Sequence, residues 1–454
     1  MITLTLTNII ELKTFPSGGV HPPENKLTAD KPVVKLPVPD SVIIPVSQHI
    51  GSPANPVVTK GDQVKVGQLI AAGKGFVSAN IHSSVSGAVN KIDNVLDATG
   101  FRQTAIFIDT HGDEWMDTID RSTAIDRTIR LSSEGIIKRC FEAGIVGLGG
   151  ATFPTHVKLT VPPGKKCELL IINGVECEPY LTSDHRLMME KGEEVLTGVV
   201  ILMKALGVEI AVVGIENNKP DAVADLSRLV SSFEGISIEA LKVKYPQGAE
   251  KQLIKTLTGR EVPSGRLPID VGVVVHNVGT AYAVYEAVQK NKPLFERIVT
   301  VTGKSLSNPG NFLVRTGISA KSLIEAAGGI PEDTGKIISG GPMMGKAIHN
   351  VNVPVVKGMS GIVLLPETES LRNRINPCIR CAKCIGVCPM NLEPYLLMVL
   401  AEKGLFERAE KENITDCMEC GSCSFICPSD RPLLDYIKLG KSTVIRMGRE
   451  KILK

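Results

Sequence analysis

The sequence predicts a multidomain α/β protein, and three observations carry that reading. The chain has 454 residues, about three times the size of one ordinary domain. Between residues 132 and 292, short apolar runs alternate with helical stretches, the pattern of a largely parallel sheet with helices on its faces. Eight of the eleven cysteines lie between Cys378 and Cys427, which marks off a small C-terminal unit. Composition agrees, since 43% hydrophobic and 22% charged residues suit a chain with proper cores. A net charge of +3 and an aromatic content of 4% argue against a nucleic-acid partner. No span reaches the roughly 18 apolar residues of a membrane helix. The best stretch, Val195 to Met203, is bounded by Glu193, Glu194 and Lys204. The N-terminal MITLTLTNIIELKTF lacks a basic region ahead of an apolar one, so no signal peptide and a cytoplasmic location are expected.

The elements follow in order. Residues 1 to about 40 read as irregular, because the prolines and glycines of Phe15-Pro-Ser-Gly-Gly-Val-His-Pro-Pro23 cannot hold a helix. From Val42 to Asp109 short strands alternate with turns, one at Gly61-Asp62. This part resembles the β-sandwich of lipoyl or biotinyl carriers and gives a first domain over 1–130. A carrier presents its modified lysine at a hairpin tip. Phe76 to Ile81 has none and the nearest is Lys74, so the expectation is a scaffold without a prosthetic group. The second domain, 131–292, has strands at Leu169–Ile172, Ile210–Val213 and Val271–Val275. Its helices are expected over roughly 184–206, 221–232 and 249–257, and its ligand beyond the carboxyl ends of the strands. The third, 293–365, has a β-branched strand at Ile298–Thr302 and a helix over 320–327, and resembles a soluble-ligand-binding β-grasp module. Pro366 to Pro377 reads as a polar linker that few buried contacts should cross. The fourth domain, 366–454, holds the cysteines, with a helical insert from Leu392 to Lys411 and a basic tail.

The strongest motif is Cys378-x2-Cys381-x2-Cys384-x3-Cys388-Pro389, repeated as Cys417-x2-Cys420-x2-Cys423-x3-Cys427-Pro428. Close spacings wrap three thiolates around one face of a cube, and the fourth cysteine, before a proline, serves the other cluster. Cys378, Cys381, Cys384 and Cys427 would then hold one 4Fe–4S cluster, and Cys417, Cys420, Cys423 and Cys388 the other. Zinc is the competing reading, but its sites need four ligands and use two CxxC pairs. Two such regular four-cysteine runs exceed that need.

A glycine-rich stretch, Gly144-Ile-Val-Gly147-Leu-Gly149-Gly150-Ala-Thr-Phe153-Pro154-Thr155, lets backbone approach a phosphate or flat ring. It is neither GxGxxG after a strand nor a Walker loop. Asn173-Gly174-Val175-Glu176-Cys177-Glu178-Pro179 follows one strand, and His276-Asn277-Val278-Gly279-Thr280 another. Tyr245-Pro-Gln-Gly248-Ala-Glu250 lies between them. Convergence of such loops suits a nucleotide or flavin site. Together these segments resemble the flavin-binding subunit of NADH:quinone oxidoreductase (complex I). With Phe15 to Pro23 and Ile338-Ser-Gly-Gly-Pro-Met-Met-Gly345, nearly the whole chain resembles the C-subunit family of Rnf electron-transport complexes. The resemblance implies that Gly147, Gly149, Gly150, Lys158, Asn173, Glu176, Tyr245, Gly248, Asn277 and Thr280 surround FMN. It implies that Phe153, Glu178 and Glu250 face the dinucleotide. Four positions depart from the complex I pattern: Leu148 for an arginine, Thr152 for a glycine, Val175 for an aspartate and Ala249 for a glutamate.

The implied function is a peripheral oxidoreductase subunit of an ion-translocating ferredoxin:NAD+ oxidoreductase. It would pass electrons between NADH, FMN and two 4Fe–4S clusters with no side chain as general acid or base. Its implied partners are the other Rnf subunits, including integral membrane subunits and a ferredoxin-like cluster subunit, with ferredoxin acting indirectly. Its implied place is the cytoplasmic face of the membrane. The tail from Arg431 to Lys454, with seven Lys or Arg against two Asp or Glu, could dock there or simply be solvated. The alternatives are a soluble flavin and iron–sulfur corrin reductase, or a non-enzymatic iron–sulfur relay. Gly340-Gly-Pro-Met-Met-Gly345-Lys346-Ala347 lacks the Walker hydroxyl and reads as a tight turn. His82, His111 and His349 read as structural or solvent-facing.

Overall fold

A computed structural model describes residues 12–452. The reading of the first eleven residues therefore lies outside the described residues. In the first unit, Ser41–Pro45, Gly87–Leu96 and Arg102–Thr110 pair antiparallel, with Gln63–Val64 at one edge. Alternation along the strands turns Val42, Ile44, Ile106 and Ile108 inward. A small sheet of Asn55–Pro56, Leu69–Ala72 and Ile81–His82 supplies Ile70 and Ile81 to the same core. His82 is buried, whereas His111 and His349 are exposed.

The α/β unit is built on four strands: β1 (Leu169–Asn173), β2 (Ala211–Glu216), β3 (Ile236–Leu241) and β4 (Val273–Asn277). They are parallel, in the order β3-β2-β1-β4. The order reverses beside β1, which opens a crevice at the carboxyl ends of β1 and β4, where such folds bind ligands. Strand β3 is absent from the sequence reading. It is the edge strand, with a half-exposed middle, and so lacks the continuous apolar run that betrays a buried strand. The helical stretch over 184–206 is two helices, α1 (Ser183–Glu190) and α2 (Gly192–Leu206), broken at Lys191, where φ is −135°. Pro220–Leu229, followed by a short 3₁₀ turn, is α3, Glu250–Thr258 is α4 and Val278–Gln289 is α5.

The third unit is a six-stranded sheet. Its order is Val33–Lys35, Gly310–Arg315, Glu296–Thr302, Gly361–Pro366, Thr334–Ser339 and Lys346–Ala347. Val33–Lys35 comes from the N-terminal segment, so that segment crosses from the first unit into the third. In the last unit Pro394–Glu402, Phe406–Lys411 and Leu433–Ile452 pack around Leu397, Leu400 and Ile437. Residues 371–383 are all exposed. The cluster unit nevertheless docks on the α/β unit: Tyr245 Oη donates to the Cys420 carbonyl at 2.8 Å, and Gln252 Nε2 to the Pro389 carbonyl at 2.7 Å. The expectation of few buried contacts across the linker is therefore not met, because the contacts come from distant parts of the chain.

Lys357 sits in the seam of the first three units and is 1% exposed. Its Nζ donates to the carbonyls of Asn80 at 2.8 Å and Gly144 at 2.7 Å. Burial pushes its pKa down from 10.5 to about 7. Between those two values the unfolded chain binds a proton that the folded chain does not, so this residue makes stability climb with pH. Replacing Lys357 by Met removes that slope. The melting-temperature difference between wild type and Lys357→Met should therefore shift in favour of wild type as pH is raised from about 7 to 9. Parallel melting curves across that range would show that the ammonium stays charged on folding.

Candidate functional site

The crevice at the strand ends is a cleft of about 670 Å³. Gly147, Gly149, Phe153, Lys158, Asn173, Glu176, Glu178, Tyr245, Gly248, Glu250, Asn277 and Thr280 all line it. Gly150 does not line it. Its φ of +102° is one that L side chains rarely adopt, so glycine is needed there for the backbone alone.

The local bonds explain the placement. The glycine loop is pinned by Gly147 N–H donating to the Phe153 carbonyl at 2.9 Å and by Leu148 N–H donating to Thr280 Oγ1 at 2.9 Å. Asn173 and Asn277 lie side by side in the β1–β4 register. Asn173 Nδ2 donates to the Gly248 carbonyl at 2.8 Å and so draws the Tyr245 loop inward. Asn277 caps α5 by accepting from Gly279 N–H at 2.8 Å, while its Nδ2 donates to Asp184 at 2.6 Å. Lys158 Nζ pairs with Glu250 Oε1 at 2.5 Å and donates to the Val275 carbonyl at 3.0 Å.

Two glutamates assigned to ligand contact also have structural partners. Glu176 accepts from the N–H groups of Asp184 at 2.8 Å and His185 at 3.1 Å, which caps the start of α1. Glu178 accepts from Met343 N–H at 3.1 Å and Met344 N–H at 2.8 Å, in the turn read from Gly-Gly-Pro-Met-Met-Gly. Burial, opposed by those two bonds, raises Glu178 to about 7. Burial and then the neighbouring Glu176 raise Asp184 to about 7. Burial, with Lys158 adding to it, lowers His276 to about 3 and keeps it neutral. Two of the substituted positions are packed in apolar cores: Leu148 is buried beside Gly279, and Val175 lies under Gly248.

The eight cysteines ring two cavities. Cys378, Cys381, Cys384 and Cys427 line one of about 560 Å³, while Cys388, Cys417, Cys420 and Cys423 line a tighter one. Among the described residues, no three His, Cys, Asp or Glu side chains converge closely enough to hold a single ion. A four-thiol ring around a cavity suits a cubane, whose thiolates stand farther apart than those of zinc. The tighter cavity adjoins the cleft, since Met390, Met418 and Cys420 line both. Cys378 and Cys381 of the wider one are exposed.

Asp184, His276, Met344, Met390 and Met418 also line the cleft, and the sequence reading does not single them out. The signal for His276 is its place directly before Asn277. The methionines come from other domains: Met344 lies in the Gly-Gly-Pro-Met-Met-Gly turn, whereas no local pattern marks Met390 and Met418.

Family models match in chain order. An RnfC barrel sandwich hybrid domain covers residues 13–113, a Nuo51 FMN-binding domain 140–286, an SLBB domain 298–347 and a 4Fe-4S dicluster domain 371–428. The chain is 50% identical over 97% of its length to the C subunit of the proton-translocating ferredoxin:NAD(+) oxidoreductase complex of Clostridium ljungdahlii, covering 96% of that protein. It is 45% identical over 95% to the Na(+)-translocating counterpart of Acetobacterium woodii, covering 98% of it. With the C subunit of the ion-translocating oxidoreductase complex of Rhodobacter capsulatus the identity is 42%, over 93% of this chain and 82% of that one. A chain of an NAD+-reducing NiFe hydrogenase shares the fold, with a TM-score of 0.51 at 16% identity, over 71% of this chain and 63% of that one. The cofactors are therefore FMN and two 4Fe–4S clusters, and the chain belongs to the family of C subunits of ion-translocating ferredoxin:NAD+ oxidoreductase (Rnf) complexes.

Proposed function

We propose that this chain is the NADH-facing electron converter of a membrane ion-translocating ferredoxin:NAD+ oxidoreductase. The observation that carries the reading is the sequence of three compartments. The cleft shares Cys420 with the tighter thiol ring, and the wider ring lies beyond it at the surface. Bound FMN supplies two-electron chemistry toward nicotinamide and one-electron chemistry toward iron–sulfur clusters.

The chain's own residues bind and orient. Gly147 and Gly149 give backbone access to the flavin, and Asn173, Asn277 and Thr280 fix the loops around it. Lys158 is available to a phosphate once its pairing with Glu250 is exchanged. Phe153, Glu178 and Glu250 are assigned to the nicotinamide side. No side chain is needed to move a proton in hydride transfer. Cys378, Cys381, Cys384 and Cys427 hold the outer cluster, and Cys388, Cys417, Cys420 and Cys423 the inner one. The domain limits at 130, 292 and 365 are the units of this division.

The exposed outer ring supports it as the exchange point with a partner, namely an integral membrane subunit or a ferredoxin-like cluster subunit. No helix of the described residues is long and apolar enough to cross a membrane. The reading is therefore a peripheral subunit on the cytoplasmic face, with ion choice made elsewhere in the complex. Relatives named for different ions, at 50% and 45% identity, support that division.

Two outcomes test the reading. Cys384→Ala should abolish the low-temperature EPR signal of the outer cluster and Cys388→Ala that of the inner one. Loss of the same signal in both variants would refute the crossed assignment. Gly149→Val places a branched side chain in the cleft. It should purify with at least tenfold less FMN and with both clusters present. Full FMN occupancy there would move the flavin site away from this loop.

A further inference from the structure

Phe15 to Val20 opens the chain ahead of the first strands, yet it runs between the α/β unit and the cluster unit. Phe15 is 1% exposed and lies beneath Lys244, whose Nζ is 4.1 Å from the ring centroid and donates to the Phe15 carbonyl at 2.9 Å. Val20 and Tyr245 exchange both backbone hydrogen bonds, at 2.8 and 2.9 Å. On its other side Gly19 N–H donates to the Val387 carbonyl at 2.9 Å. Gly18 has φ +75°, and a Cβ there would lie 2.6 Å from the carbonyl carbon of Cys388. The bonds from Gln252 to Pro389 and from Tyr245 to Cys420 complete the seam.

These contacts are selective. Those that reach the cluster unit end on Cys388, on Cys420, or on Val387 and Pro389 beside Cys388, so they bear on loops that carry a ligand of the inner ring. The outer ring is held less: Cys378 and Cys381 lie in the wholly exposed stretch 371–383, and the seam reaches that ring through Ile426, beside Cys427.

We propose that the Phe15–Val20 strap, together with Gln252, is a clamp that fixes the inner cluster's ligand loops onto the flavin domain. It sets the gap that an electron must cross and leaves the outer cluster more loosely held for a partner. The inference rests on the cluster assignment proposed above. With both groups bound, the cleft residues would hold the flavin and Cys388, Cys417, Cys420 and Cys423 the inner cluster, so the clamp would set the distance over which single electrons pass between them. Such transfer falls steeply with distance, so a small lift of these loops slows it without touching the flavin pocket. Clamp residues are positioning residues and contact no substrate.

The test uses the full-length, cofactor-loaded protein. Gly18→Ala forces the strap away from Cys388, and Gln252→Leu removes the bonds to the Pro389 carbonyl and Met390 Sδ with little change of volume. Stopped-flow absorbance after mixing with NADH should show flavin reduction within twofold of wild type. Cluster bleaching should be at least tenfold slower in Gly18→Ala and measurably slower in Gln252→Leu. EPR of the dithionite-reduced variants, which needs no NADH, should show an altered inner-cluster signal beside an unchanged outer one. Wild-type bleaching rates in both variants, or equal disturbance of the two signals, would overturn the clamp. If Gly18→Ala fails to load its clusters, Gln252→Leu alone decides. Failure of NADH to bleach the wild-type clusters would refute the proposed function instead, and the EPR comparison would still judge the clamp.

Discussion

Lys357 puts an amino group where three domains meet, held by the carbonyls of Asn80 and Gly144. Its backbone is held as well: its N–H donates to Gln48 Oε1 at 2.9 Å, and its carbonyl accepts from buried Arg297. A buried donor that loses its partner costs about 1–3 kcal/mol, so none of the three units can shift alone without exposing that cost. Gly144 opens the glycine loop, so the position of the cleft-lining backbone depends on the barrel and the grasp sheet as much as on its own domain. Lys26 acts in a similar way on the next loop, donating to the carbonyls of Glu176, Glu178 and Leu181 at 2.7 to 2.9 Å.

The acidic residues of the cleft have to be understood against these structural duties. Glu176 caps a helix and Glu178 ties the cleft to the Met343 turn, so neither carboxylate is free in the way its motif suggests. Glu250 is paired with Lys158 across the opening. Glu176, Glu178, Glu250 and Lys158 thus already have protein partners, and a ligand that binds any of them requires an exchange of partners. Preformed polar partners of this kind hold loop geometry in place before the ligand arrives.

Burial changes in one direction along the chain of compartments. Thiols of the inner ring, such as Cys420 and Cys423, are buried, whereas two of the four outer thiols are exposed. A cluster's potential responds to burial and hydrogen bonding, so two sites with the same ligands stand in different surroundings. The inner one is walled by the flavin domain, and the outer one faces solvent beside exposed Ile379 and Tyr395.

Much of the fold and the site is legible in the sequence, for physical reasons that can be named. The cysteine spacings are local, and a loop that wraps a cube leaves the same spacing in any chain. The apolar runs of β1, β2 and β4 are continuous because those strands are buried, while β3 leaves no such run because it is an edge strand. The asparagines at the ends of β1 and β4 stand out by their motifs, although only the parallel pairing sets them side by side. Other features have no local signal. The Phe15–Val20 stretch reads as irregular and is a packed strap, because its partners Tyr245 and Val387 lie hundreds of residues away. The same holds for the amino group of Lys357, for the helix-capping role of Glu176 and for Met390 and Met418 in the cleft. Residue type and spacing determined which chemistry the chain carries. Tertiary packing decided which thiol ring adjoins the cleft and which carboxylates are left to meet a ligand, since both depend on contacts between segments that the sequence keeps apart.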